Sequence, residues 1–190
     1  MVSRHLRAWL LALFLFVPAW AGGIQLDSAQ GMEHEGHLAL DARFRVSLNP
    51  VHENALLDGV PLTFVMEFTL TRPRWYWAMR RMSDWFSPSA RTYYKLYYHP
   101  LTRSYRVEVG TLYRSFDTLG GALSSLGVAR DWEVGQRGAV TRRLDSRFGG
   151  EIRMRLDKTQ LPKPLQLSLL GDADWNLDSG NTLVEFEESK

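Results

Sequence analysis

The stretch Gly36-His37-Leu38-Ala39-Leu40-Asp41-Ala42-Arg43-Phe44-Arg45-Val46-Ser47-Leu48 alternates apolar and polar residues as a half-buried β-strand does. Leu38, Leu40, Ala42, Phe44, Val46 and Leu48 alternate with Ala39, Asp41, Arg43, Arg45 and Ser47, a period of two that sets one apolar row on one face of a sheet. Residues 62–70 repeat the pattern. Leu62, Phe64, Met66, Phe68 and Leu70 oppose Thr63, Val65, Glu67, Thr69 and Thr71, and the β-branched residues suit a pleated outer surface.

Between these two strands, Asn49 is placed to cap a short helix with Pro50 in its first turn and Gly59 as its terminator, and Val51, Ala55 and Leu56 share a face. Residues 92–98 and 104–109 read as a hairpin joined by the turn Pro100-Leu101-Thr102-Arg103. After Thr118, the helical spacing of Leu119, Ala122, Leu123 and Leu126 predicts a second short helix that ends at Gly127, although Gly120-Gly121 weakens its start. Further strands are expected over residues 131–134, 150–156, 165–170 and 182–186. Pro162-Lys163-Pro164 forces an extended break between two of them, since neither proline can donate to a ladder. Many strands against one or two short helices make the chain mainly β, an antiparallel β-sandwich or a strongly curved sheet. A parallel α/β sheet would need helical crossovers that the pattern lacks.

The N-terminus reads as a secretory signal peptide. Arg4, His5 and Arg7 precede an apolar run over residues 8–17, Pro18 ends that run, and Ala19-Trp20-Ala21 supplies a small-residue cleavage site before Gly22. The run is about half the roughly 20 residues that cross a bilayer. Residues 1–21 are therefore the expected leader and residues 22–190 a single β-rich domain, with retention of the leader as an anchor the rival reading. The chain has no cysteine, which excludes a lipid-modified N-terminal Cys, thiolate metal sites and disulfide staples. Removing Arg4 and Arg7 brings Lys+Arg from 23 to 21 against Asp+Glu 21, so the precursor's charge of +2 becomes zero. A neutral exported domain lacks the surplus positive charge that a nucleic-acid binder needs.

Charge is nonetheless segregated along the chain. Residues 72–95 carry Arg72, Arg74, Arg80, Arg81, Arg91 and Lys95 against Asp84 alone, interleaved with Trp75, Tyr76, Trp77, Trp85 and Phe86. Arginine pairs with phosphate or carboxylate and the aromatic rings suit interfaces, so Arg72, Arg74, Trp75, Tyr76, Trp77, Arg80, Arg81 and Trp85 form the candidate partner-binding surface, for an acidic protein or an anionic membrane face. Read structurally, the same rings cap the core and the arginines are solvated or stacked on them. Residues 137–158 add seven basic residues, whereas residues 172–190 hold six acidic residues and one lysine, which serves strand pairing within the chain as well as it serves a partner.

Constellations for chemistry are sparse. Glu33-His34-Glu35-Gly36-His37 has imidazoles and carboxylates, but its spacing is not that of a helical zinc motif and a turn is needed there. His52 and His99 have no spacing relation to a nucleophile, no Gly-x-Ser-x-Gly elbow occurs, and Gly120-Gly121 and Gly149-Gly150 lack a phosphate-loop context. No catalytic residue, metal or cofactor is assigned.

Leu48-Asn49-Pro50, Gly59-Val60-Pro61-Leu62, Thr71-Arg72-Pro73-Arg74-Trp75-Tyr76-Trp77, Tyr98-His99 with Leu101-Thr102-Arg103 and Tyr105-Arg106-Val107, Gln160-Leu161-Pro162-Lys163-Pro164 and Asp174-Trp175-Asn176-Leu177 span nearly the whole chain after residue 21. Together they resemble the DUF4390 family, exported proteobacterial proteins of unknown function. The resemblance implies an exported protein of a Gram-negative envelope whose gene often neighbours that of a two-component sensor kinase, and it carries over no catalytic residue. The leading expectation is a periplasmic binding or accessory domain that meets an envelope protein, for example a membrane sensor kinase, or the membrane surface. A lipid or small-ligand carrier with an apolar cavity between sheets, and an envelope hydrolase, are the alternatives.

Overall fold

The computed structural model describes residues 22–34, 37–71, 89–135, 149–169 and 172–188. They form strands β1 (Gly23–His34), β2 (His37–Ser47), β3 (Leu62–Thr71), β4 (Ser89–His99), β5 (Ser104–Val109), β6 (Leu112–Phe116), β7 (Val128–Gly135), β8 (Gly149–Leu156) and β9 (Thr182–Glu188). Three short helices, α1 (Pro50–Leu57), α2 (Leu119–Leu126) and α3 (Lys163–Ser168), join them. All nine strands share one sheet in the order β6-β5-β4-β3-β8-β9-β1-β2-β7, strongly curled into a half-barrel. Of the two architectures open from the sequence, the curved sheet is the one adopted. Neighbours are antiparallel except β1 and β9, which run parallel over Gly31–Glu33 and Phe186–Glu188.

Bulges bend the sheet. The register of β1 on β2 shifts between Leu26 and Ser28, and that of β2 on β7 shifts between Leu38 and Ala39 and again between Leu40 and Ala42. Extra residues on one strand of a pair raise local twist and curvature. Polar contacts hold them: Arg45 pairs with Asp27 at 2.9 Å, and Asp131, whose φ is +46°, donates its backbone N–H to Asp41 Oδ1 at 2.7 Å. The curl brings β4 against β7, where the Tyr94 hydroxyl donates to Val128 O at 3.2 Å. Burial pushes that phenol up to about 12. Helix α2 connects the two edge strands, β6 and β7, and lies across the mouth of the curl with Ala122 and Leu126 fully buried.

The concave face is the core. Leu38, Leu40 and Phe44 of β2 meet Phe64, Met66 and Phe68 of β3 and Ile152 and Met154 of β8, all between 0 and 2% exposed. One end of the half-barrel is closed by α1 and the segment 172–177. Asn49 accepts the His52 backbone N–H at 3.0 Å and donates its amide to Asp174 O at 3.1 Å, while His52 packs on Trp175 with ring centroids 4.7 Å apart. Asn49→Ala removes both bonds, so a loss of about 1–2 kcal/mol is expected in urea unfolding.

Several sequence expectations are corrected. Residues 165–170 were expected as a strand, but Lys163–Ser168 is helical. Pro164 falls in its first turn, where a missing N–H costs nothing, and Gln166 Nε2 donates to the carbonyls of Thr159 and Leu161 at 2.7 and 2.6 Å. Pro162 itself is extended, as expected. In α1 the buried residues are His52 and Leu56, whereas Val51 is exposed. The strand expected over 131–134 starts earlier, at Val128. The first and sixth strands were not foreseen. The positions of Gly59, with φ +84° after α1, and of the 100–103 turn are as expected.

Candidate functional site

Every residue of the basic aromatic candidate, Arg72, Arg74, Trp75, Tyr76, Trp77, Arg80, Arg81 and Trp85, lies outside the described residues. Their anchor points do not. β3 ends at Thr71 and β4 begins at Ser89, where Thr69 faces Ser89 in the register. Thr71 also faces Gly149, the first residue of β8. The second arginine-rich segment, residues 136–148, leaves β7 at Gly135 and rejoins the sheet at Gly149. Each segment carries four arginines, Arg72, Arg74, Arg80 and Arg81 in one and Arg137, Arg142, Arg143 and Arg147 in the other, against one aspartate. Both therefore return to the sheet on the same rim. This rim is the end opposite α1, about 35 Å away along the eleven residues of β2.

Packing under the rim is tight. A Cβ on Gly150 would stand 2.1 Å from the Phe68 ring, and one on Gly31 would stand 2.5 Å from the Phe186 ring. The two rings meet edge to face at 5.7 Å. On the convex face below the rim, charges are paired. Glu67 accepts from Arg91 at 3.0 Å and from Arg155 at 3.4 Å, and Arg153 forms a two-point pair with Asp178, its Nε 2.8 Å from Oδ1. The Arg153 guanidinium holds the Asp178 carboxyl below the usual carboxylate range. Part of the charge segregation in the sequence is thus spent within the chain: basic residues of β8 and β4 meet Glu67 and the acidic C-terminal stretch.

The histidines stand apart. His34 and His37 are backbone partners in the register of β1 on β2, with Glu35 and Gly36 outside the described residues, and His37 Nδ1 lies 3.0 Å from Glu133. His99 is hydrogen-bonded to Thr102 at 3.1 Å. His52 is completely buried, neither ring nitrogen has a hydrogen-bond partner, and desolvation holds its imidazole down at about 4. Among the described residues no three His, Cys, Asp or Glu side chains stand close enough together to hold a metal ion. No helix among them is long and apolar enough to cross a membrane.

A curled antiparallel sheet, plugged by α2 and closed by α1, with two arginine-rich segments rooted on the opposite rim, defines a β-rich half-barrel domain. The chain belongs to the family described as Domain of unknown function (DUF4390), which matches residues 21–185. Comparison with curated proteins and with solved structures finds no match.

Proposed function

We propose that this protein is an exported, periplasmic binding or accessory domain whose contact surface is the arginine-rich rim. The supporting observation is the register of Thr71 against Gly149, which roots residues 72–88 and 136–148 side by side. Eight arginines against two aspartates in the two segments anchored at this rim favour an acidic surface, and the aromatic residues Trp75, Tyr76, Trp77 and Trp85 are of types productive at interfaces. An envelope protein, such as the periplasmic part of a membrane sensor kinase, is the partner this reading takes first, and an anionic membrane face is the second. Gly22 enters the fold beside Asn49 and Leu177, at the end away from the rim. A retained leader would aim the rim away from the membrane it is tethered to. A cleaved leader leaves both partners reachable.

The carrier reading has less support. The leucine, phenylalanine and methionine side chains of β2 and β3 that would line an apolar cavity are packed against one another in the core. The hydrolase reading has only the contact of His99 with the Thr102 hydroxyl at 3.1 Å, on the exposed 100–103 turn, to build on among the described residues.

The test is affinity capture from envelope extract with wild type and with Arg74→Glu/Arg80→Glu/Arg81→Glu, run beside flotation with anionic vesicles. The triple variant is expected to lose at least about tenfold of the captured partner or the bound vesicle fraction. Equal recovery by both proteins in both assays would reject the rim.

A further inference from the structure

Directly opposed residues of neighbouring strands share a sheet face. Thr63, Lys95, Glu108 and Tyr113 are such partners across β3, β4, β5 and β6. Leu62 and Phe64, on either side of Thr63, are buried in the core, so this row faces outward, joined by Tyr93 two residues along β4. Tyr93 is 46% exposed and Tyr113 61%. Two strands and two residues separate the pair, which places them about 12 Å apart on a diagonal. At the Tyr93 end lies a groove of about 470 Å³, lined by Tyr93, Thr63, Lys95, Glu108 and Gln160.

The polar side-chain groups of this groove form no ion pair or hydrogen bond among the described residues. Lys95 and Glu108 carry opposite charges on directly paired residues, yet they form no ion pair, and the Lys95 ammonium lies over the Tyr97 ring instead, 5.8 Å from its centroid. Neither the Thr63 hydroxyl nor the Gln160 amide bonds to another described residue. Arg106 stacks over Tyr113 at 5.2 Å and stiffens that ring. A cation, an anion, an amide and a hydroxyl lining one groove beside the Tyr93 ring, with the Tyr113 ring further along the same face, match a polyhydroxylated ligand, whose C–H faces stack on tyrosine while its hydroxyls both donate and accept. A protein interface needs an apolar centre, and here the centre is Lys95 and Glu108. A phosphate chain would meet the Glu108 carboxylate. A lipid would leave the four polar groups unpaired.

We propose that the convex face of β3–β6 is a glycan-binding surface, holding an extended oligosaccharide between Tyr93 and Tyr113. The surface is separate from the arginine-rich rim and does not depend on it.

Chitotetraose and cellotetraose, titrated into the purified protein by calorimetry, test the assignment. At least one is expected to saturate the protein at about millimolar concentration or below. Tyr93→Ala and Tyr113→Ala should each weaken it by about tenfold, while Tyr93→Phe retains it and circular dichroism stays unchanged because both side chains are solvent-facing. The rim variant Arg74→Glu/Arg80→Glu/Arg81→Glu should bind the sugar as wild type does, so that failure here and failure of the rim are read separately. Absence of saturation with both sugars, or affinity indifferent to both alanine variants, would overturn the proposal.

Discussion

Gly150→Val is expected to leave the chain unfolded at physiological temperature. Gly150 is the second residue of β8, beneath the rim, and a Cβ there would lie 2.1 and 2.3 Å from Phe68 ring atoms and 3.0 Å from the Thr69 carbonyl oxygen. Phe68 is completely buried and held edge to face by Phe186, so its ring has nowhere to retreat. Overpacking of a core at this distance, with backbone on the other side, costs about 4 kcal/mol or more, a large fraction of the stability of a domain. Gly120→Ala is the contrasting substitution: in α2 nothing lies within 4 Å of the added Cβ. It should stabilise the protein by roughly 0.5–1 kcal/mol through the lower entropy of the unfolded chain. Urea unfolding reads both. A Gly150→Val midpoint equal to wild type would show that the rim tolerates displacement of Phe68.

Acid should weaken the protein through His52. Its ring nitrogens are unpartnered inside the closed end, and desolvation, opposed by the nearby Asp174 and Asp172 and reinforced by Lys158, lowers its pKa from 6.5 to about 4. The unfolded chain therefore takes up a proton between pH 6.5 and about 4 while the folded chain does not. Stability is full above the unfolded value and falls with pH through this window, by about 3 kcal/mol at most. His52→Phe keeps a ring on Trp175 and removes the titration, so its unfolding free energy should vary less between pH 7 and pH 4 than that of wild type, by a difference on the order of the same amount. Identical pH profiles for the two proteins would remove His52 from the account. The closed end is where Trp175, Asn49 and α1 meet, so a protonated His52 would loosen that cap before the rim.

The long strands were legible because burial on one face imposes a period of two, and β2 and β3 show it with one exception each, the buried Ala39 and Val65 of the outer row. The helix caps were legible for a related reason: Asn49 and Thr118 accept the free amides of a first turn, at His52 and Gly121, and that requirement is local. β1 hid itself. Its register slips at Asp27, which moves later inward positions to Ala29 and Gly31, residues too small to register as an apolar row. β6 is an edge strand with most of its side chains exposed, so no hydrophobic pattern is demanded of it. α3 was misread because Leu165 and Leu167 alternate, whereas Pro164 and the Gln166 anchors are what set the backbone.

For the candidate surfaces, the arginine and tryptophan content of residues 72–88 could be read directly, but not the neighbour it is rooted beside. The diagonal of Tyr93 and Tyr113 was missed, since the two residues are twenty positions apart and join only through the register of β4, β5 and β6.

Alternation, caps and turn residues, all properties of near neighbours in the chain, are enough to make this protein a β-rich domain with a short helix between its two alternating strands, and the motifs between Leu48 and Leu177 carry its resemblance to the DUF4390 family. Only the tertiary structure decided that the strands close into one curled sheet rather than two stacked ones. Bulges, strand order and cross-strand register depend on contacts between residues far apart in sequence, and those contacts alone set Thr71, which precedes one arginine-rich segment, opposite Gly149, which follows the other.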